Sequence, residues 1–160
     1  MNFYSIIIPI HNEITFIPKL INNLKEYSFQ GHEIIIIDDG STDGSYRLLK
    51  SYDFINLIKN NQKLGKGASI KRGLQSSTCK MVIIFDGDLE LDPLEISKLM
   101  ILNHYKGILC VMGYRFQSLN PINSSFNWGN FMFTSFFNIL FKSNHKDILC
   151  CAKSFYNDEK

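Results

Sequence analysis

The chain has 160 residues, 45% of them hydrophobic and 20% charged. That length buries a core of its own, and that composition excludes a disordered or fibrous chain. A formal net charge of +2 gives no reason to expect nucleic acid as a partner. The N-terminus lacks the basic region and cleavage site of a signal peptide. No run of about 18 uninterrupted apolar residues offers a membrane span. Four cysteines, Cys79, Cys110, Cys150 and Cys151, form no CxxC pair and read as small buried hydrophobes in a reducing compartment. A single cytoplasmic domain over residues 1–160 is expected.

In chain order, "FYSIII" (3–8) is a predicted strand that stops at Pro9, which has no N–H for a central ladder. Residues 16–27 place Phe16, Ile17, Leu20, Ile21 and Leu24 on one helical stripe. "EIIIID" (33–38) is a second strand, 44–51 a short helix, and "FINLI" (54–58) a weaker third strand. A helix over 67–76 follows Gly65 and Gly67, and "MVIIF" (81–85) is a strong fourth strand. Asp92 as N-cap, Pro93 at the first helical position and Glu95 at the capping-box position predict a helix over 93–103. "GILCVMG" (107–113) completes a β-α-β-α-β-α-β-α-β order. Apolar runs without alternation suit strands covered on both faces. The expectation is therefore an α/β layer fold with right-handed crossovers and a ligand site beyond the carboxyl ends of the strands.

The polar clusters fall at those ends. Strand one runs into "PIHNE" (9–13), strand two into "DDGSTDGS" (38–45), and strand four into "DGDLE" (86–90). Like charges at roughly 4 Å repel by several kcal/mol at intermediate dielectric, so such carboxylates share a proton or a cation. On an extended tail Asp86, Asp88 and Glu90 point to one side. Oxygen ligands at that spacing suit Mg²⁺ or Mn²⁺, which keeps waters and takes substrate phosphates. The competing reading is a D-G-D turn with Asp92 capping the next helix. Asp43 reads as a turn or cap residue. Asp38 and Asp39, placed directly after four isoleucines, are costly for capping alone and suit hydrogen bonding to a base or ribose. "NQKLGKGASIKRGL" (61–74) is either a loop near phosphate or a plain helix start, and it is not a P-loop.

Together, "SIIIPIHNE", "EIIIIDDGSTDGS", "LGKGASIKRGL" and "MVIIFDGDLELDP" resemble, in order and spacing, a family 2 glycosyltransferase with a GT-A fold. The likeness is nearest to the branch that uses polyprenyl phosphates, and "GYR" (113–115), "NWGN" (127–130) and "DILCCAKSF" (147–155) are also similar to it. The resemblance implies a three-layer α/β sandwich with a mostly parallel sheet. It further implies a nucleotide pocket lined by Pro9, His11 (in place of a usual Tyr) and Glu13. Ile37 and Asp39 would meet the base, and Asp86, Gly87 and Asp88 the ribose and diphosphate. Asp86, Asp88 and Glu90 would surround Mg²⁺ or Mn²⁺, Glu90 standing where the branch has Gln. Arg115 is either a phosphate ligand or a solvated surface residue. Asp147 is the candidate general base for an alcohol acceptor or a structural carboxylate, while a phosphate acceptor needs no base. The stretch 126–141 is read as an amphipathic helix, either core or an acceptor-side surface touching lipid at the cytoplasmic face of a membrane.

The implied activity is metal-dependent transfer of a hexose from a nucleotide diphosphate sugar to a lipid-phosphate or saccharide acceptor. The family carries further acceptor-side residues beyond the last of these motifs. A truncated, non-catalytic nucleotide-sugar-binding remnant, or a subunit completed by a partner or by oligomerisation, is thus the second reading. A sugar nucleotidyltransferase is the third. The absence of glycine from "PIHNEITFIPK" counts against it.

Overall fold

In the computed structural model, residues 3–114 and 125–157 are described, those at 125–127 by backbone alone. Six strands form one sheet in the order β3-β2-β1-β4-β6-β5. They are β1 (Tyr4–Ile10), β2 (Glu33–Asp38), β3 (Ile55–Lys59), β4 (Met81–Ile84), β5 (Cys110–Met112) and β6 (Lys153–Tyr156). The first four pair in parallel. β6 runs antiparallel to both β4 and β5. The helices are α1 (Ile17–Phe29), α2 (Ser45–Leu49), α3 (Lys66–Ser76), α4 (Ile96–Leu99) and α5 (Ser125–Phe141).

The isoleucine runs work as the lack of alternation implied. Every residue of β1 is buried, and the two faces of the strand serve different layers. Ile6, Ile8 and Ile10 join Ile34 and Ile36 under Leu20 and Leu24 of α1 and Ile96 and Leu99 of α4. Ile7, Ile35, Ile37 and Val82 form a smaller core on the other face, against Leu74 of α3. Gly73 permits that approach: a Cβ there would lie 2.5 Å from Ile7 Cγ2 and 2.9 Å from Ile37 Cδ1. The result is a three-layer helix–sheet–helix sandwich with a mostly parallel sheet.

Four local expectations are corrected. β1 does not stop at Pro9, which pairs in register with Ile37. The carbonyl of Ile7 faces β4, accepting from Phe85 N–H at 3.0 Å. Backbone groups alternate along a strand, so Pro9 turns its missing N–H to that same side, beyond the last β4 pair at Ile7 and Ile84. No ladder bond is lost. The helix predicted over 93–103 is a single 3₁₀ turn, Pro93–Glu95, followed by the short α4. Asp92 caps it as expected, accepting from Leu94 N–H at 3.0 Å. It ends early because Ser154 of β6 donates its hydroxyl to the Leu99 carbonyl at 2.7 Å. The fifth strand contracts to three residues, and β6 lies between it and β4. Of the cysteines, only Cys150 is buried; Cys79 and Cys151 are half-buried and Cys110 is exposed.

α5 is built inside out. Among its described side chains Asn130 and Thr134 are the buried ones, whereas Trp128, Phe131, Phe133, Phe136, Ile139 and Phe141 are exposed. Its polar residues make the inward contacts. Asn130 Nδ2 donates to Asp147 at 3.2 Å, and Asn138 bonds the backbone of His145.

Candidate functional site

The carboxyl ends of β1, β2 and β4 open on one cleft of about 230 Å³. Pro9, Ile10, His11 and Glu13 line it from the first end and Asp39 from the second. Asp86, Gly87 and Asp88 line it from the fourth strand, and Lys63, Gly65 and Lys66 from the turn before α3. Asp39 and Asp88, 49 positions apart in sequence, therefore share one concavity, at the edge where ligands of open α/β sheets sit.

The two aspartates that end β2 divide their work. Asp38 is buried away from the cleft lining, with Oδ2 accepting from Ser41 N–H at 3.3 Å and Oδ1 without a partner among the described residues. Asp39 faces the cleft and ties down the loop after β3. Its Oδ1 accepts from Asn60 Nδ2 at 2.7 Å and from Leu64 N–H at 2.9 Å, and its Oδ2 accepts from Gly65 N–H at 2.8 Å. Burial alone would push this carboxyl up. The bonds from Leu64, Asn60, Gly65 and Ser69 outweigh it and hold the group below its ordinary range. The same loop packs so closely on Gly40 that a Cβ there would lie 2.6 Å from the backbone of Gln62. Gly40 also has a positive φ of 68°, which glycine adopts without strain.

The β1 tail is stitched to the β2 tail. The Asp39 carbonyl accepts from His11 Nδ1 at 2.9 Å, which places the imidazole proton on Nδ1. Asn12, at a positive φ of 58°, accepts from Thr42 N–H, and its own N–H donates to Ser41 Oγ. Asp43 has the structural role expected of it: Ile14 N–H, Ser45 N–H and the Ser45 hydroxyl all donate to it.

D-G-D is both a turn and a cleft wall. Gly87 is buried, and a Cβ on it would lie 2.6 Å from Ile10 Cγ2, so only glycine lets the β4 tail cross β1 here. Asp86 Oδ1 pairs with Lys66 Nζ at 2.5 Å. Asp88 is exposed and accepts from Glu90 N–H at 3.0 Å. The tail is not extended, because Leu89 has a positive φ of 58°. Glu90 is absent from the cleft lining. Among the described residues, no three His, Cys, Asp or Glu side chains are grouped to hold an ion. The two cleft aspartates still match what Mg²⁺ takes, one or two carboxylates with waters and substrate phosphates. Burial pushes Glu13 up, and so do the charges of Asp88, Asp43 and Asp86, with His11 opposing. Carboxylates from separate strand ends thus act on one another across the cleft.

Other predicted residues lie elsewhere. Ile37 is wholly buried in the α3-side core, beneath the cleft and not on it. Asp147 is buried outside the lining and accepts from Asn130 Nδ2, Leu149 N–H and Cys150 N–H at 3.0–3.2 Å. Arg115 falls outside the described residues. Sequence reasoning passed over Asn60, Lys63 and Cys151. The Cys151 thiol, beside Asp86 and Lys66, is pushed up to about 11 by burial and the Asp86 charge. For Lys63 the available signal was its place in the glycine-bearing loop; no local pattern marks Asn60 or Cys151.

With this geometry in place, the comparisons with known proteins are informative. The family model described as "Glycosyl transferase family 2" matches residues 5–159. The chain belongs to that family. An undecaprenyl-phosphate 4-deoxy-4-formamido-L-arabinose transferase of Aeromonas hydrophila is 33% identical over 104 residues, covering 60% of this chain and 32% of the relative. A dolichyl-phosphate beta-glucosyltransferase of Dictyostelium discoideum is 35% identical over 101 residues, covering 54% and 31%. The chain thus matches about a third of the length of these relatives. Mannosyl-3-phosphoglycerate synthase from Rubrobacter xylanophilus superposes with a TM-score of 0.78 at 15% identity, over 98% of this chain and 53% of its own. Glucosyl-3-phosphoglycerate synthase from Mycobacterium tuberculosis, solved with UDP, superposes at 0.72 and 17%, over 98% and 57%. At those identities the structures establish the fold.

Proposed function

We propose that the protein transfers a hexose from a nucleotide diphosphate sugar to a polyprenyl phosphate, with Mg²⁺ or Mn²⁺ held by Asp86 and Asp88. One observation carries this reading: the ends of β1, β2 and β4 deliver Glu13, Asp39, Asp86 and Asp88 into a single cleft beside Lys63 and Lys66. Four carboxylates against two ammonium groups leave the cleft anionic, so a diphosphate enters it only with a cation. Bound there, the cation neutralises charge on the departing diphosphate.

In this reading Pro9, His11 and Glu13 hold the nucleoside, and Ile37 supports the floor from below. Asp39 keeps the loop carrying Gly65 and Lys66 in place and turns its carboxylate edge to the base. Gly87, in the cleft lining between the two aspartates, meets the ribose and diphosphate with its backbone. An acceptor oxygen attacks the anomeric carbon, the bond to the diphosphate oxygen breaks, and its electron pair leaves with the nucleotide diphosphate. A single displacement inverts the anomeric centre. Asp147, sequestered by amide donors away from the cleft, is poorly placed to take a proton, which favours an acceptor that is already an anion. The names of the two relatives, both polyprenyl-phosphate enzymes, support that class.

The outward apolar face of α5 supports contact with the lipid that carries such an acceptor. No described helix is long and apolar enough to cross a membrane.

The deciding experiment incubates the protein with Mn²⁺, polyprenyl phosphate and radiolabelled GDP-mannose or UDP-glucose. Chloroform-soluble label that disappears in Asp88→Ala supports transfer. Calorimetric nucleotide binding with no transfer reduces the protein to a nucleotide-sugar-binding module. Failure of both nucleotides to bind in the presence of Mn²⁺ sinks both.

A further inference from the structure

The Lys66–Asp86 pair carries an inference that rests on the reading above. Both side chains line the cleft, and at a separation of 2.5 Å the ammonium is a cation held by Asp86. The partners differ in freedom. The carboxylate, 21% exposed, is fixed by the tail of β4, whereas the lysine, 51% exposed, ends a flexible stem at the start of α3. An ion pair this open is weak and readily exchanged. A divalent cation recruited to Asp86 competes with Lys66 for the same carboxylate. The released ammonium stays tethered at the cleft wall, because Gly65, held by Asp39, anchors the turn from which it extends. There the diphosphate arriving with the cation is a close anion for it to meet.

We infer that Lys66 is a diphosphate-positioning residue that exchanges partners: it neutralises Asp86 while the cleft holds no nucleotide and moves to the diphosphate when cation and nucleotide enter. The exchange keeps the cleft from carrying two unscreened aspartates when empty, and it adds a cation to the leaving group when filled.

The test uses Lys66→Met and Lys66→Arg in the whole chain, with folding checked by circular dichroism. Mn²⁺ binding without nucleotide is followed by electron paramagnetic resonance. It tightens roughly two- to fivefold in Lys66→Met as the competing ion pair is removed. UDP or GDP binding at saturating Mn²⁺, measured by calorimetry, weakens roughly tenfold to a hundredfold with loss of a charge-assisted contact. Uridine or guanosine binding is unchanged, and Lys66→Arg restores the diphosphate affinity. Unchanged or weaker Mn²⁺ binding in Lys66→Met overturns the inference. So does a parallel loss of nucleoside and diphosphate affinity, which marks a purely structural role. In either case nucleotide binding by the unaltered protein leaves the proposed function standing. If the unaltered protein binds neither UDP nor GDP with Mn²⁺, that function fails and this inference with it.

Discussion

The β1–β4 half and the α5 region obey opposite rules. In the first, apolar runs are buried completely: Ile6, Ile7, Ile8 and Ile34 to Ile37 expose at most 1%. In α5, asparagine and threonine face inward and phenylalanine faces out, with Phe133 62% and Ile139 77% exposed. The contrast teaches that hydrophobicity alone does not say where a side chain goes. A strand covered by helices on both faces has no polar side to offer. A helix whose inner face must satisfy a buried carboxylate and a turn spends its polar residues there and leaves the rest outside.

Matched substitutions break or sharpen that comparison. Ile36→Ala, in the wholly buried core, is expected to destabilise by roughly 2–5 kcal/mol in denaturant unfolding. The chemically identical Ile139→Ala on α5 should stay within about 0.5 kcal/mol. Equal costs at the two positions would mean that something covers α5 in solution.

Next in size is the loop anchor. Asp39→Ala orphans the N–H groups of Leu64 and Gly65, at an expected cost of roughly 1–3 kcal/mol. Amide hydrogen exchange should accelerate first over residues 60–65. Gly73→Val, which drives a side chain into Ile7 and Ile37, belongs in the same range of roughly 1–3 kcal/mol.

The pH dependence follows from the same aspartate. The folded-state value of Asp39 lies below the ordinary 3.8. Its contribution is therefore complete above that value and disappears as pH falls through the lower folded value. Asp43 is depressed in the same direction and adds to the loss. Unfolding free energy should decline as pH drops below 3.8, with a shallower slope in Asp39→Asn. The smallest effect concerns surface behaviour. Phe133→Lys with Phe136→Lys should leave the unfolding midpoint nearly unchanged while reducing co-sedimentation with lipid vesicles.

Much of the architecture was legible because neighbouring residues encode it. Four isoleucines at 34–37 admit little besides a doubly covered strand, and Asp92 before Pro93 marks a helix start whatever follows. The strand-end rule then places the segments 9–13, 38–45 and 86–90 at one edge, and the structure brings Pro9, His11, Glu13, Asp39, Asp86 and Asp88 of them to one cleft. What escaped was set by partners distant in the chain. Ser154 bonds the Leu99 carbonyl where α4 ends, and Asn60 and Leu64 claim Oδ1 of Asp39. A positive φ at Leu89 breaks the extended run between Asp88 and Glu90, and Lys66 reaches Asp86 across 20 positions. Periodicity and spacing report how each segment meets a generic core or solvent, so the sequence by itself determined which strands are buried and which end of the sheet is acidic, while the placing of the apolar face of α5 was left to the tertiary structure. Which oxygen meets which donor depends on distances of a few ångströms between separate segments, and only the tertiary structure decided that.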